Sequence, residues 1–498
     1  MDIHGLLRPD PPDPTPAHRQ SDPDFTFRDP AGQLRLTSTH ALRRIQAAAV
    51  EETLAFLDSP LRAALERSGD LISTEVANSA IHPSNDPVAQ GLRGELWLQH
   101  PRIHPISYPW EWTTGQWRSA AELTLRVAGQ AIDAGWNLKD ATPLNILFAG
   151  SRPIFVDVLS FERRDPHASI WLAYGQFVRT FLLPLLAEKF LGWSLQATIF
   201  ARDGYEPGMI YRALQPWQRL YPDLLDVVTL ATVFEGSGSK PGKIRKMPST
   251  SDPELATHIL HKRLDRLGKQ IRHAAPPQRP SGWSKYTQFA SHYTSADTSD
   301  KQRFLTEVLE RCRPRRVLDI GANTGTYSLL AAEAGAEVVA LDSDAAAIDA
   351  LWRSVPQHSI TSLVANIARP TPAAGWMNRE QLSLLERLSG NFDLVLMLAV
   401  IHHLILREQI PLAHIGDLCA SLTRRWLVLE WVPPSDPMFQ EWLRGRDHLY
   451  GQLSEDDLKM AFAPFFRVVD RAVLGNQRVL VLFEREPEFE SHSGSDQP

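Results

Sequence analysis

The stretch VLDIGANTGTYSLLAAEAGAEVVALDSD, residues 317–344, decides the fold. Residues 317–320 are a short apolar run of the kind that forms a buried parallel strand. Gly321, Asn323 and Gly325 follow at alternate positions, where small residues let a backbone turn sharply and approach a ligand. Residues 326–334 have helical spacing, with Tyr327, Leu330 and Ala331 on one side and Gly335 as the stop. Residues 337–341 make a second strand, and Asp342 stands at its carboxyl end, the edge where open α/β sheets bind ligands. A carboxylate there can accept hydrogen bonds from both hydroxyls of a ribose, so the stretch predicts a nucleoside site.

Dinucleotides and S-adenosylmethionine are the two cofactor classes that use such a site. The dinucleotide fingerprint G-x-G-x-x-G meets Gly321, Asn323 and Thr326 here, so two glycines are missing and an NAD-linked oxidoreductase is disfavoured. The pattern D-x-G-x-N-x-G, from Asp319 to Gly325, resembles motif I of the class I S-adenosylmethionine-dependent methyltransferases. The resemblance implies S-adenosylmethionine as cofactor, with Asp319 near its methionine end and Gly321, Asn323 and Gly325 forming the turn. It also implies Asp342 on the ribose, Ser343 at the adenine edge, and Asn366 meeting the adenine amino group through its carbonyl.

The run LMLAVIHHL, residues 396–404, resembles motif IV of the same family, which faces the acceptor. It makes His402 and His403 the candidate catalytic residues, needed as a base only when the acceptor must lose a proton. Neither has partner ligands at metal-binding spacing, so no metal is expected. Glu430 at a strand end could reach the cleft, and Gly375, Trp376 and Arg387 are expected to line the acceptor pocket.

Around this unit strands and helices alternate. Strands are expected at 362–365, 392–398 and 426–430, with helices at 345–353, 378–388 and 403–422. An antiparallel pair at 467–470 and 478–483, joined across Gly475-Asn476, closes the count at seven strands. That is the Rossmann-like sheet of a class I methyltransferase.

Upstream, residues 40–57 and 119–134 read as helices, the second with Ser119 as its cap, and 71–76 and 95–98 as short strands. In residues 135–162, GWNLKDATPLNILFAGSRPIFVDVLSFE, two apolar runs flank a Gly-Ser turn and predict a hairpin. Asp140, Asn145 and Asp157 around it resemble the catalytic loop and metal-binding strand of protein-kinase-like and aminoglycoside-phosphotransferase-like folds. The resemblance implies a nucleotide or metal site at these three residues. Lys139 precedes Asp140 where a kinase has Arg or Gly, and no G-x-G-x-x-G stands upstream. Residues 253–271 carry a helical apolar stripe, opposite a face of Lys262, Arg263, Arg266, Lys269 and Arg272.

The expected organisation of the 498 residues is a Pro-rich arm (1–24), a mostly helical α+β domain of kinase-like character (25–280), a methyltransferase domain (281–485) and a tail (486–498). Residues 236–250 and 274–281 read as linkers. A content of 43% hydrophobic and 22% charged residues is that of a soluble globular protein. The net charge of −6 points away from nucleic acid and anionic membranes. Two cysteines, Cys312 and Cys419, cannot build a disulfide framework, and the cytoplasm is the expected compartment. With KDATPLNILF, FVDVLSFE and LVLEWVPPSDPMF added, the whole pattern is similar to bacterial two-part, nodulation methyltransferase-like proteins. The acceptor, small molecule or macromolecule, is not specified. The rival expectations are a bifunctional enzyme that also transfers phosphate and a ligand-binding module without turnover.

Overall fold

A computed structural model of the chain describes residues 31–37, 39–77, 96–236, 249–274, 295–355, 359–443 and 445–486. The arm, the tail and most of both linkers read from the sequence lie outside them.

The amino-terminal part opens with strands β1 (Gly32–Leu36) and β2 (His40–Ile45), the helices Val50–Leu57 and Pro60–Ser68, then β3 (Glu75–Val76) and β4 (Trp97–Pro101). These strands form an antiparallel sheet in the order β1-β2-β4-β3. The helix expected over 40–57 is therefore half strand. Leu42 and Ile45 are buried three residues apart, which imitates helical spacing, while pairing with β1 and β4 on both sides holds the segment extended.

The long helix runs Thr114–Asp133 and begins five residues before the expected cap. Its true cap is Thr113, whose hydroxyl accepts the Gln116 N–H while the Thr113 N–H donates to Gln116 Oε1 at 2.9 Å. After it come β5 (Trp136–Leu138), the hairpin β6 (Ile146–Ala149) and β7 (Arg152–Phe155), and β8 (Phe161–Arg163), which pairs with β5. The hairpin stands where the sequence places it. Helices fill residues 174–236, and Pro253–Ala274 packs along the long helix through Leu260, Leu264, Leu267 and Ile271.

The carboxyl-terminal part begins with the helix Ser295–Cys312 and builds one sheet. Its strands are β9 (Arg316–Ile320), β10 (Glu337–Asp342), β11 (Ile360–Val364), β12 (Phe392–Met397), β13 (Thr423–Trp431), β14 (Phe466–Val473) and β15 (Val479–Arg485). The order is β11-β10-β9-β12-β13-β15-β14, with β15 antiparallel to both neighbours. This is the seven-stranded Rossmann-like sheet. Alternate residues feed two cores, one on each face: Leu318, Val339 and Leu341 on one side, Val317, Val338 and Ala340 on the other. The helix expected over 378–388 is reduced to Leu384–Leu388, preceded by a single turn at Trp376–Asn378 with Met377 and Asn378 at positive φ.

The two parts meet through specific bonds. Asp349 accepts from the Thr113 hydroxyl at 2.7 Å and the Gly115 N–H at 3.1 Å, and Gln116 donates to the Ser362 carbonyl at 3.0 Å. A Cβ on Gly115 would lie 2.3 Å from the Asp349 carboxylate, so only glycine admits this approach.

Candidate functional site

The turn after β9 and the end of β10 come together at the carboxyl edge of the sheet. Gly321, Asn323 and Gly325 have φ of 77°, 50° and 85°, the left-handed region that favours glycine and asparagine. A Cβ on Gly321 would sit 2.4 Å from Val400 Cγ2, so the turn lies against the segment that follows β12. The Asn323 N–H donates to Asp342 Oδ2 and the Asp344 N–H to Oδ1, both at 2.9 Å. A carboxylate has about four acceptor positions, so Asp342 keeps acceptor capacity for a ribose hydroxyl. Burial raises its pKa, and the N–H groups of Asp344, Asn323 and Ser343 counter the rise. Ser343 is exposed beside it. Asn366 follows β11 and spends one lone pair of its carbonyl on the Ala368 N–H at 2.9 Å.

Asp319 is 2% exposed and accepts the Ser328 hydroxyl at 2.6 Å. Burial pushes its pKa up to about 6, against the pull of Ser328 and Lys301. Behind it lies a buried charge network. The Lys301 ammonium pairs with Glu430, and Arg478 joins Asp436 at 2.8 Å and Glu430 at 3.4 Å. Lys301 Nζ also stands 4.7 Å from the Tyr327 ring centre. Glu430 was readable at a strand end. Lys301, Tyr327, Asp436 and Arg478 were not, because each looks like an ordinary polar residue of its own segment.

His402 and His403 begin the helix Ile401–Leu406 with ring centres 4.1 Å apart, and the Trp442 ring lies 4.5 Å from His403. His402 is buried, with no hydrogen-bond partner on either ring nitrogen among the described residues. Burial, His403 and Arg478 hold its pKa well below the usual value. Burial and Arg407 lower that of His403 to about 4. Both shifts favour the neutral ring, which can take part in a hydrogen bond but is a weaker base than an ordinary histidine.

The cradle fits an adenosyl cofactor: a turn that a Cβ would fill, a carboxylate with acceptor capacity to spare, and a second acid able to face a cation. Gly375, Trp376 and Arg387, expected at the acceptor pocket, lie apart from this cradle in the chain segment 375–387. Arg387 is buried in the seam between the two parts, paired with Glu111. Trp376 is 59% exposed on the segment held by the Arg202–Glu380 pair.

In the amino-terminal part Asn145 and Asp157 are linked through Ser160, which accepts from the Asn145 amide at 3.2 Å and donates to Asp157. The other oxygen of Asp157 takes the Arg43 guanidinium of β2. Burial would raise the Asp157 pKa, but Arg43 and Ser160 together keep it below the usual carboxylate range. Asp140 accepts from Gln176 at 3.3 Å. Among the described residues no group of three or more His, Cys, Asp or Glu is placed to hold a metal ion.

A family model described as a methyltransferase domain matches residues 263–461. Nodulation protein NoeA of Rhizobium meliloti (strain 1021) is 29% identical over 477 residues, 92% of this chain and 95% of that protein. Two solved structures are similar at lower identity. The N-methyltransferase NodS from Bradyrhizobium japonicum WM9 is 17% identical over 39% of this chain and 98% of its own, with a TM-score of 0.30. Magnesium protoporphyrin IX methyltransferase (ChlM) from Synechocystis PCC 6803, with bound SAH, is 16% identical over 41% of this chain and 95% of its own, with a TM-score of 0.30.

Proposed function

The chain is a class I S-adenosylmethionine-dependent methyltransferase, and from that premise we propose that it methylates an acceptor seated over the carboxyl edge of the sheet, between the 321–325 turn and the histidine pair. The amino-terminal part recognises or presents that acceptor. The observation that carries the reading is the Asn323–Asp342 hydrogen bond, which fixes a side-chain-poor turn beside a ribose-binding carboxylate.

Bound cofactor supplies an activated methyl group. The protein's work is to bind, orient and keep water away. Asp342 holds the ribose, Asp319 faces the methionine ammonium, and His402 and His403 are the candidates to orient the acceptor by hydrogen bonding, their lowered pKa values making them weak bases. The acceptor is a small molecule or a macromolecule other than nucleic acid, since a net charge of −6 offers no track for a polyphosphate. No described helix is long and apolar enough to cross a membrane. With both cysteines free, we place the protein in the cytoplasm, which fractionation of cells making it would test.

Calorimetry with S-adenosylhomocysteine tests the cofactor site. Losing two hydrogen bonds to a charged group costs roughly 1.5–3 kcal/mol each, so Asp342→Ala is expected to bind about a hundredfold more weakly or worse. Unchanged affinity would overturn the reading.

A second reading is carried by the Asn145–Ser160–Asp157 chain: the amino-terminal part binds a nucleotide with magnesium. Arg43 opposes it by occupying the carboxylate a metal would need. Magnesium-dependent ATP binding that disappears in Asp157→Ala would establish it. Absence of ATP binding in both Arg43→Ala and the parent would end it.

A further inference from the structure

The seam between the two parts holds a half-open cavity of about 420 Å³. It lies at the amino-terminal ends of β9–β12, where Arg316, Glu337 and Asn391 reach it. Its other wall is Arg102 and His104, from the segment after β4, and Arg152 at the start of β7. The nucleoside turn is at the other end of the same strands. Five residues of β9 separate the two, about 16 Å at ~3.3 Å per residue. Ligands of open sheets ordinarily bind at the carboxyl edge. This cavity exists because the amino-terminal part roofs the opposite one.

Three arginines and one glutamate line this space, and Arg152 also stands 4.0 Å from the Asp70 carboxylate behind it. Each arginine is anchored at its back. Arg102 donates to the Thr37 carbonyl at 2.5 Å, Arg152 to the Ser68 carbonyl, and Arg316 spends Nε on Glu337 at 3.1 Å. A guanidinium carries five donors in a fixed fork that matches carboxylate and phosphate oxygens. The excess positive charge is felt inside the cavity: burial, Arg102 and Arg316 together lower the His104 pKa to about 4, although Asn391 bonds to it. The volume falls within the range of small-ligand sites and exceeds what one inorganic anion fills.

We propose that this seam cavity is a second ligand site, for a phosphorylated small polar molecule of about sugar-phosphate size that binds across the two parts of the chain. Its anionic group is drawn by a lining that carries three arginines, one of them shared with Asp70, against Glu337. A ligand there ties Arg102 and Arg152 of one part to Arg316 of the other, so it stabilises their docking.

The test is calorimetry on the full chain at fixed ionic strength, with inorganic phosphate, glucose 6-phosphate and glucose as probes. Glucose 6-phosphate is expected to bind, phosphate more weakly and glucose not at all. Phosphate binding as well as the sugar phosphate would identify an anion site without a sugar subsite and overturn the size claim. Arg316→Gln should weaken glucose 6-phosphate about tenfold, the worth of one charged hydrogen bond. Glu337→Gln should tighten it severalfold. Both variants should hold S-adenosylhomocysteine as the parent does, which separates this site from the methyl-transfer site. No binding of either phosphate, or equal affinity in the parent and both variants, would overturn the proposal.

Discussion

Asp319 lies 2% exposed at the end of β9, with one hydroxyl donor and a nearby lysine to hold its charge. Its folded pKa of about 6 stands above the value of 3.8 for the unfolded chain. Between those values the unfolded chain gives up the proton first. The group's contribution to stability is therefore complete below about pH 4 and is lost as pH rises through 6, a change on the order of 3 kcal/mol. Subtracting Asp319→Asn isolates that contribution. The Tm advantage of the parent over the variant should shrink from pH 4 to pH 7. A constant difference would mean the carboxylate ionises without cost. The same proton has an opposite effect on the ligand. Only the ionised acid can pair with the methionine ammonium, so S-adenosylhomocysteine should bind the parent more tightly above pH 6 than below it, and the variant with little change.

At the scale of elements, the β9 turn and its helix depend on backbone shape. Gly325 caps the helix Thr326–Glu333 at φ 85°, and a Cβ there would lie 2.1 Å from Leu351 Cδ1. Gly335, at φ 94°, has nothing within 4 Å of its Cβ position. Gly335→Ala therefore carries only the conformational cost, about 1–2 kcal/mol. Gly325→Ala adds a displaced Leu351, for a further ~1–3 kcal/mol. Urea unfolding should rank them in that order, and only Gly325→Ala should weaken S-adenosylhomocysteine. Equal losses would show that Leu351 moves aside freely.

These same features explain what was legible in the sequence. Around β9 and β10, burial on both faces writes itself as continuous apolar runs, and the turn needs glycines, so motif, strands and site could be read together. At 40–45 the burial spacing was shared by two structures and the neighbouring strands decided it. At 113–116 the capping box was present, but Ser119 offered a cap of the same type five residues on, and Gly115 gave no sign of its role. Its reason is Asp349, more than two hundred residues away. Arg387 was misplaced for the same cause: its partner lies in the other part of the chain.

For the whole molecule, the seam is held by a buried pair whose worth can be measured. Glu111 is fully buried and accepts from Arg387, from the Thr371 hydroxyl at 2.6 Å and from the Tyr108 N–H at 3.0 Å. Arg387 is 4% exposed, lies over the Tyr108 ring and donates to the Leu382 and Ser383 carbonyls. Removing one member strands the other charge without water, which costs about 3–5 kcal/mol. Replacing both with apolar residues of similar length leaves no uncompensated charge, so most of that loss should return. Glu111→Met and Arg387→Met are each expected to lower the urea midpoint strongly, and the double variant to recover most of the difference. Additive losses would mean that the pair is not a unit. The seam also bears on the cofactor. Thr371 and Leu382, both tied to the amino-terminal part, belong to the segment that leaves Asn366. A loosened seam should therefore weaken S-adenosylhomocysteine severalfold in the single variants and restore it in the double one. Loss of stability with unchanged cofactor affinity would show that the amino-terminal part supports the fold without reaching the site.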